Sequence, residues 1–141
     1  MAMVVHVDIV SAEREIFSGS AKMVFAPAVM GEVGITPRHA PLITRIKPGE
    51  VRVRSSDSVE ESFYVSGGIL EIQPRIITIL SDTVVRAHDI DEAAAQTAKE
   101  RAEQTMKNHS SEMEYAAAQS ALVEASAQLA LLNRIRQKKH Q

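Results

Sequence analysis

At 141 residues the chain can bury one core of ordinary size plus a small appendage, which excludes two large independent domains. Its 45% apolar and 24% charged residues are those of a folded globular protein rather than a disordered or fibrous one. A formal net charge of −2 offers no overall attraction to nucleic acid or anionic lipid, so any charged partner has to meet a local patch.

The absence of cysteine excludes a disulfide framework and any thiolate metal site. The start Met1-Ala2-Met3-Val4 lacks the charged n-region of a signal peptide. No apolar run approaches the roughly 20 residues that a spanning helix needs. A cytoplasmic location with only indirect membrane association is expected.

From Val4 to about Arg86 the chain reads in short runs rich in Val, Ile and Phe. The runs are Val4 to Val10, Ala21 to Phe25, Leu42 to Lys47, Val51 to Arg54, Ser62 to Val65, Ile69 to Ile72 and Ile76 to Leu80. Val51 and Val53 alternate with Arg52 and Arg54, as in a strand with one wet face, which favours antiparallel sheets. Pro48-Gly49, Ser55 to Ser58, Gly67-Gly68 and Gln73-Pro74 fall between runs, where Gly supplies positive φ and Pro presets φ near −65° for chain reversals. Many short strands at this spacing predict a sandwich or barrel over residues 1–87.

After His88 glycine and proline vanish, alanine dominates and the period becomes helical, which predicts a second domain over residues 88–141. Asp89-Ile90-Asp91-Glu92 places Asp89 at an N-cap with Glu92 three residues on, and Ser111-Glu112-Met113-Glu114 repeats the arrangement. The short polar Lys107-Asn108-His109-Ser110 between them predicts an antiparallel two-helix hairpin. Tyr115, Ala118, Leu122, Ala125, Leu129 and Leu132 form one stripe of the second helix; the first offers mainly Ala94, Ala98 and Ala102. Alanine favours helix but buries little surface, so these helices should persist when their mutual packing is lost. That suits an element that undocks and redocks, and equally a static hairpin with close backbones.

No residue group argues for catalysis. Asp89, Asp91 and Glu92 beside His88 resemble metal ligands, but acids in a first turn are explained by capping and the helix dipole, so no metal is expected. His39 lies in Pro37-Arg38-His39-Ala40-Pro41 with no cysteine to pair with, and there is no nucleophile elbow or phosphate loop. Gly67-Gly68 precedes a strand-like run, so it is not a dinucleotide fingerprint and no cofactor is expected. The run Arg134, Arg136, Lys138, Lys139 and His140 is the one dense basic patch. It reads as a stabilising tail or as a site for an acidic protein partner; without interleaved aromatics, nucleic acid is not expected.

Three stretches carry a family resemblance. Val7-Asp8-Ile9-Val10-Ser11 resembles the first strand of bacterial F-type ATP synthase epsilon subunits, and Gly31-Glu32-Val33-Gly34-Ile35-Thr36-Pro37-Arg38-His39-Ala40-Pro41-Leu42 resembles their glycine- and proline-rich loop. Tyr64-Val65-Ser66-Gly67-Gly68-Ile69-Leu70-Glu71-Ile72-Gln73-Pro74 is similar to their most recognisable segment. With the alanine-rich tail the resemblance spans essentially the whole chain. It implies an N-terminal antiparallel β-sandwich of two five-stranded sheets followed by a C-terminal antiparallel two-helix hairpin.

The resemblance also implies a non-catalytic rotor subunit on the cytoplasmic face of the bacterial inner membrane, bound to the gamma subunit and the c-ring. By motif position Glu32 would face the c-ring, and Ser11, His39 and Ser66 would face gamma. The tail would restrain ATP hydrolysis, with Arg134, Arg136, Lys138 and Lys139 meeting an acidic segment of the beta (and alpha) subunits; this favours the switchable hairpin. Members that bind ATP carry an arginine where this chain has Ala94, and Glu124 and Gln128 stand where cations would hold phosphates, which argues against nucleotide sensing. Two rival readings are an ATP-responsive sensor module and a small β-sandwich adaptor with an oligomerisation tail.

Overall fold

The computed structural model describes residues 3–57 and 59–139. The chain divides into two compact units, Met1–Ala87 and His88–Gln141. Ser58 and His140, both part of the patterns above, lie outside the described residues.

Among the described residues the first unit holds eight strands: β1 (Val5–Val10), β2 (Glu15–Ala21), β3 (Met23–Ala28), β4 (Gly31–Ile35), β5 (Leu42–Arg54), β6 (Glu60–Ile72), β7 (Ile76–Leu80) and β8 (Val84–Arg86). They form one hydrogen-bonded path, β2-β1-β7-β6-β5-β3-β4, with β8 added to β6. The long strands β5 and β6 pair with each other from Leu42 opposite Ile72 to Arg54 opposite Glu60 and serve two layers. One layer is β2, β1, β7 and the adjoining halves of β6 and β5. The other is β8, the remaining halves of β6 and β5, then β3 and β4. The two five-stranded sheets of the sandwich therefore share two strands.

The sharing depends on the two glycine/proline breaks. The register sets Ile46 opposite Gly68 and Pro48 opposite Ser66, so both long strands bend at the same place and fold the ladder over itself. Pro48-Gly49 and Gly67-Gly68 are kinks inside continuous strands, not the chain reversals expected from composition. Gly67 and Gly68 have φ of +105° and +136°. A Cβ on Gly68 would stand 1.9 Å from the Leu80 carbonyl oxygen, so the bend accepts only glycine.

Pairing is antiparallel except between β1 and β7, which run parallel from His6 opposite Ile76 to Val10 opposite Leu80. The expectation of a wholly antiparallel sandwich is corrected there. A tight turn after β6 reverses the chain into β7, which is thereby inserted beside β1 in the same direction. The strands β2, β4 and β8 escaped sequence reading. Glu15–Ala21 and Gly31–Ile35 are edge strands broken by glycine or serine, so their pattern is supplied by the neighbour rather than by alternation.

The core lies between the layers. Val5, Val7, Ile9, Ile77, Ile79, Leu70 and Ile72 from one side meet Val24, Ile35, Val51, Val53, Phe63 and Val65 from the other. Phe17 on β2 closes edge-on against Phe63 on β6, ring centroids 5.6 Å apart, linking the two layers.

A single 3-10 turn, Ala87–Asp89, crosses the boundary between the units, and the second unit continues with α1 (Glu92–Lys107) and α2 (Glu112–Lys139). Asp91, not Asp89, caps α1, its carboxylate accepting from the Ala94 N–H at 3.0 Å. Glu92 is the first helical residue and turns away from the cap, so the expected Asp89–Glu92 capping box does not form. Ser111 does cap α2, its hydroxyl accepting from the Glu114 N–H at 3.1 Å; Glu114 reaches back to Ser110 rather than to Ser111. The two helices pack antiparallel across the four-residue link 108–111. Buried positions on α1 are Ala95 and Ala102, not Ala94 and Ala98, so the contact face is turned by one residue from the sequence reading. On α2 Ala118, Ala125 and Leu131 are buried, while Leu122, Leu129 and Leu132 of the expected stripe are half-buried.

Candidate partner-binding surfaces

Glu32 lies on β4, a strand where the sequence suggested a loop, and points to the outer face of the layer. Its Oε1 accepts from Arg52 Nη2 at 2.9 Å, and the Arg52 guanidinium stacks 4.2 Å from the centre of the Phe25 ring. This platform holds the carboxylate in place while leaving more than half of it exposed. The adjoining β3–β4 turn presents Met30, which is 95% exposed. The acid and the exposed apolar tip thus lie side by side on the surface.

Ser11 and Ser66 are far apart in sequence and come together. Both line an open groove of about 400 Å³ at the end of β1 and β7, with Gly67, Gly68, Leu80, Ser81 and others forming its walls. The φ-positive glycines create the concavity because they leave no side chain above the bend. Ser66 Oγ accepts from the Thr83 N–H at 3.0 Å and lies 3.2 Å from Ser81 Oγ, while Ser81 donates to the Thr83 carbonyl at 3.1 Å. Ser11 Oγ caps its own turn through Glu13 and Arg14. These hydroxyls are engaged in bonds to neighbouring backbone groups and hold the shape of the groove. Ile69 and Leu80, each 47% exposed, supply an apolar wall that sequence alone did not single out. The register signal exists: both residues sit in one cross-strand pair on the outer face.

His39 is not part of this groove. Its Nδ1 lies 2.7 Å from the Ala40 carbonyl, and its loop is tied by Arg38 N–H to the Pro74 carbonyl at the start of β7, the opposite end of that strand. The expected Ser11, His39 and Ser66 set therefore divides into two places.

His6, Asp8 and Ser18 form a triangle on the outer face that resembles a nucleophilic triad. Asp8 Oδ1 and Ser18 Oγ both approach the same ring nitrogen, at 2.9 and 3.2 Å, and bond each other at 2.7 Å. A triad needs the base to hold acid and nucleophile on different nitrogens, so this serine is not activated. Among the described residues no group of three or more His, Asp or Glu is placed to hold a metal.

Residues 4–87 match the family described as ATP synthase, Delta/Epsilon chain, beta-sandwich domain, and residues 88–133 match its long alpha-helix domain. The chain belongs to the ATP synthase delta/epsilon chain family. It is 62% identical over 138 residues to the ATP synthase epsilon chain of Nitrosococcus oceani, covering 98% of this chain and 99% of that one. It is 61% identical over 136 residues to ATP synthase epsilon chain 1 of Methylococcus capsulatus, covering 96% and 97%. A chain of the Euglena gracilis mitochondrial ATP synthase, solved as OSCP/F1/c-ring, superposes with a TM-score of 0.84 over 92% of this chain and 81% of its own; at 18% identity this speaks for the fold.

The tail of this delta/epsilon family member has a geometry that residue counting hides. At about 100° per residue, Arg134 and Lys138 share one face of α2, whereas Arg136 lies about 200° round from Arg134. Arg136 Nη2 forms an ion pair with Glu92 Oε2, joining the last turn of α2 to the first turn of α1. This hydrogen bond holds the Glu92 carboxyl below its ordinary range and raises the guanidinium pKa. Ala94 is exposed, two residues on from Glu92. No helix among the described residues is long and apolar enough to cross a membrane.

Proposed function

We propose that this chain is the epsilon-type rotor subunit of a bacterial F-type ATP synthase, joining gamma to the c-ring and restraining ATP hydrolysis through its helices. The match of both domains of one family along the chain, 4–87 and 88–133, carries this reading. Two fold neighbours add support: one belongs to an OSCP/F1/c-ring assembly, and one to a central stalk and c-ring assembly from Tetrahymena thermophila with a TM-score of 0.59.

In this reading the Ser11/Ser66 groove with Ile69 and Leu80 receives gamma, and Glu32 beside Met30 meets the c-ring. His39 belongs to a second gamma contact at the other end of β7. Arg134, Arg136, Lys138 and Lys139 meet acidic surface on beta (and alpha). The chain has no active site of its own and sits peripherally on the cytoplasmic side of the inner membrane. ATP is not a ligand, because Ala94 supplies no cation and Asp91 is already engaged in capping. Reconstituting ATP hydrolysis with and without the chain tests the reading: its addition should lower hydrolysis and it should copurify with gamma. Failure to copurify would favour the independent adaptor.

A further inference from the structure

We propose that His6, Asp8 and Ser18 form one face of an octahedral site for a divalent transition-metal ion of the nickel or cobalt class, with water filling its other three positions. The site belongs to the sandwich alone and does not rest on the rotor reading.

Strand geometry brings the donors together. Val5, Val7 and Ile9 of β1 point into the core, so the intervening His6 and Asp8 both stand on the outer face. The register sets Ser18 of β2 opposite Asp8 and Ser20 opposite His6. Strand β1 is paired with β2 on one side and β7 on the other, which fixes the backbone beneath two of the three donors.

One atom of each side chain approaches the other two. His6 Nε2 lies 2.9 Å from Asp8 Oδ1 and 3.2 Å from Ser18 Oγ, and the two oxygens are 2.7 Å apart. Three ligands about 2.1 Å from a metal lie about 3.0 Å apart on a face of an octahedron and about 3.4 Å apart on a tetrahedron. The observed edges fit the octahedral face. Hydrogen bonding alone does not complete this triangle: the hydroxyl and Nε2 bring at most one proton each, so one of the three edges has no proton of its own. An ion above the triangle accepts a lone pair from all three atoms, the imidazole proton then residing on Nδ1.

The donor set selects the ion. An imidazole, a carboxylate and a neutral hydroxyl fall short of the four strong ligands of structural zinc, while imidazole with oxygen donors and water suits a six-coordinate ion, nickel before cobalt. Entry is open, since the His6 and Asp8 side chains are 43% and 25% exposed and Ser18 is exposed. An ion held here would tie the edge strand β2 to β1.

Nickel chloride titrated into the full chain should bind one ion by calorimetry, raise the melting midpoint and broaden the amide resonances of residues 6–8 and 18–20. His6→Gln and Asp8→Asn should each weaken binding by about 10- to 100-fold. Ser18→Ala should weaken it less, because water replaces a neutral hydroxyl, and His39→Gln should leave it unchanged. The chain has no cysteine, so Ser18→Cys supplies a single thiolate, which should tighten cobalt binding and add a sulfur-to-metal charge-transfer band. No saturable binding by the parent, or parent-strength binding by folded His6→Gln or Asp8→Asn, overturns the site. Where either variant loses its cooperative melt, Ser18→Cys decides: tightening together with the band sustains the site, and the absence of either overturns it.

Discussion

Gly68 illustrates how one residue can be visible in a sequence while its role is not. Its composition signal, a glycine pair after a strand-like run, is the same for a hairpin turn and for a kink in a continuous strand. The distinction needs the cross-strand partner, and Ile46 and Pro48 lie about twenty residues away in the chain. With φ of +136° and the Leu80 carbonyl at the Cβ position, Gly68→Ala should destabilise the sandwich by at least about 3 kcal/mol, lowering its urea midpoint without a change in slope. A parent-like midpoint would mean that the bend relaxes. Ala94 makes the converse case, because the expectation attached to it rests on a motif comparison alone. Calorimetry should find ATP binding absent or weaker than millimolar, and Ala94→Arg should strengthen it if it changes anything.

The two helices were read correctly in number, link and helical period because both signals are local. Their contact face was not, since Ala93, Ala94 and Ala95 are consecutive in α1 and a one-residue rotation exchanges one alanine for the next. The cap was misplaced for a similar reason: Asp89 and Asp91 both offer a carboxylate, and only the backbone decides which one reaches an N–H. Asp91→Ala should therefore cost about 1 kcal/mol of hairpin stability, whereas Asp89→Ala should cost markedly less, by thermal melts of the two variants.

Acid should loosen the same element. Glu92 is held below its ordinary value of 4.5 by the Arg136 hydrogen bond, and Glu114 by the Ser110 hydroxyl and N–H. A depressed carboxyl stabilises the folded form above its unfolded value and loses that contribution as pH falls through the folded one. The thermal midpoint of the helical unit should thus stay constant from neutrality to about pH 5 and fall below about pH 4.5. In Glu92→Gln with Glu114→Gln this acid step should be absent.

For the molecule as a whole, the fold class was accessible from the periodicity and punctuation of the sequence, while the surfaces depended on tertiary arrangement. Ser11 and Ser66 could be paired only by the parallel β1–β7 ladder, and His39 was separated from them by the same ladder. The basic tail is the reverse: dense in sequence, divided round the helix in space. That division decides how a test of the tail must be built. Arg136→Glu alone has two opposed consequences, since it removes a cation from the partner contact and also releases the hairpin by repelling Glu92. Single changes at the exposed Lys138 or Lys139 remove pairs each worth about 0 to 1 kcal/mol, and Arg134 is half-buried. Reversing all four to glutamate removes the contact altogether, so hydrolysis by the assembled enzyme should rise to the level seen without the tail. Assembly should not change, because the sandwich proposed to dock to the rotor is untouched; residues 1–88 alone should melt cooperatively and still copurify with gamma, given that nearly all large buried side chains lie there. High salt should reproduce part of the increase in the parent and none of it in the reversed tail, the Debye length being about 8 Å at physiological ionic strength. A quadruple variant that assembles and still restrains hydrolysis as the parent does would show that the tail acts by shape, and the electrostatic account would have to be abandoned.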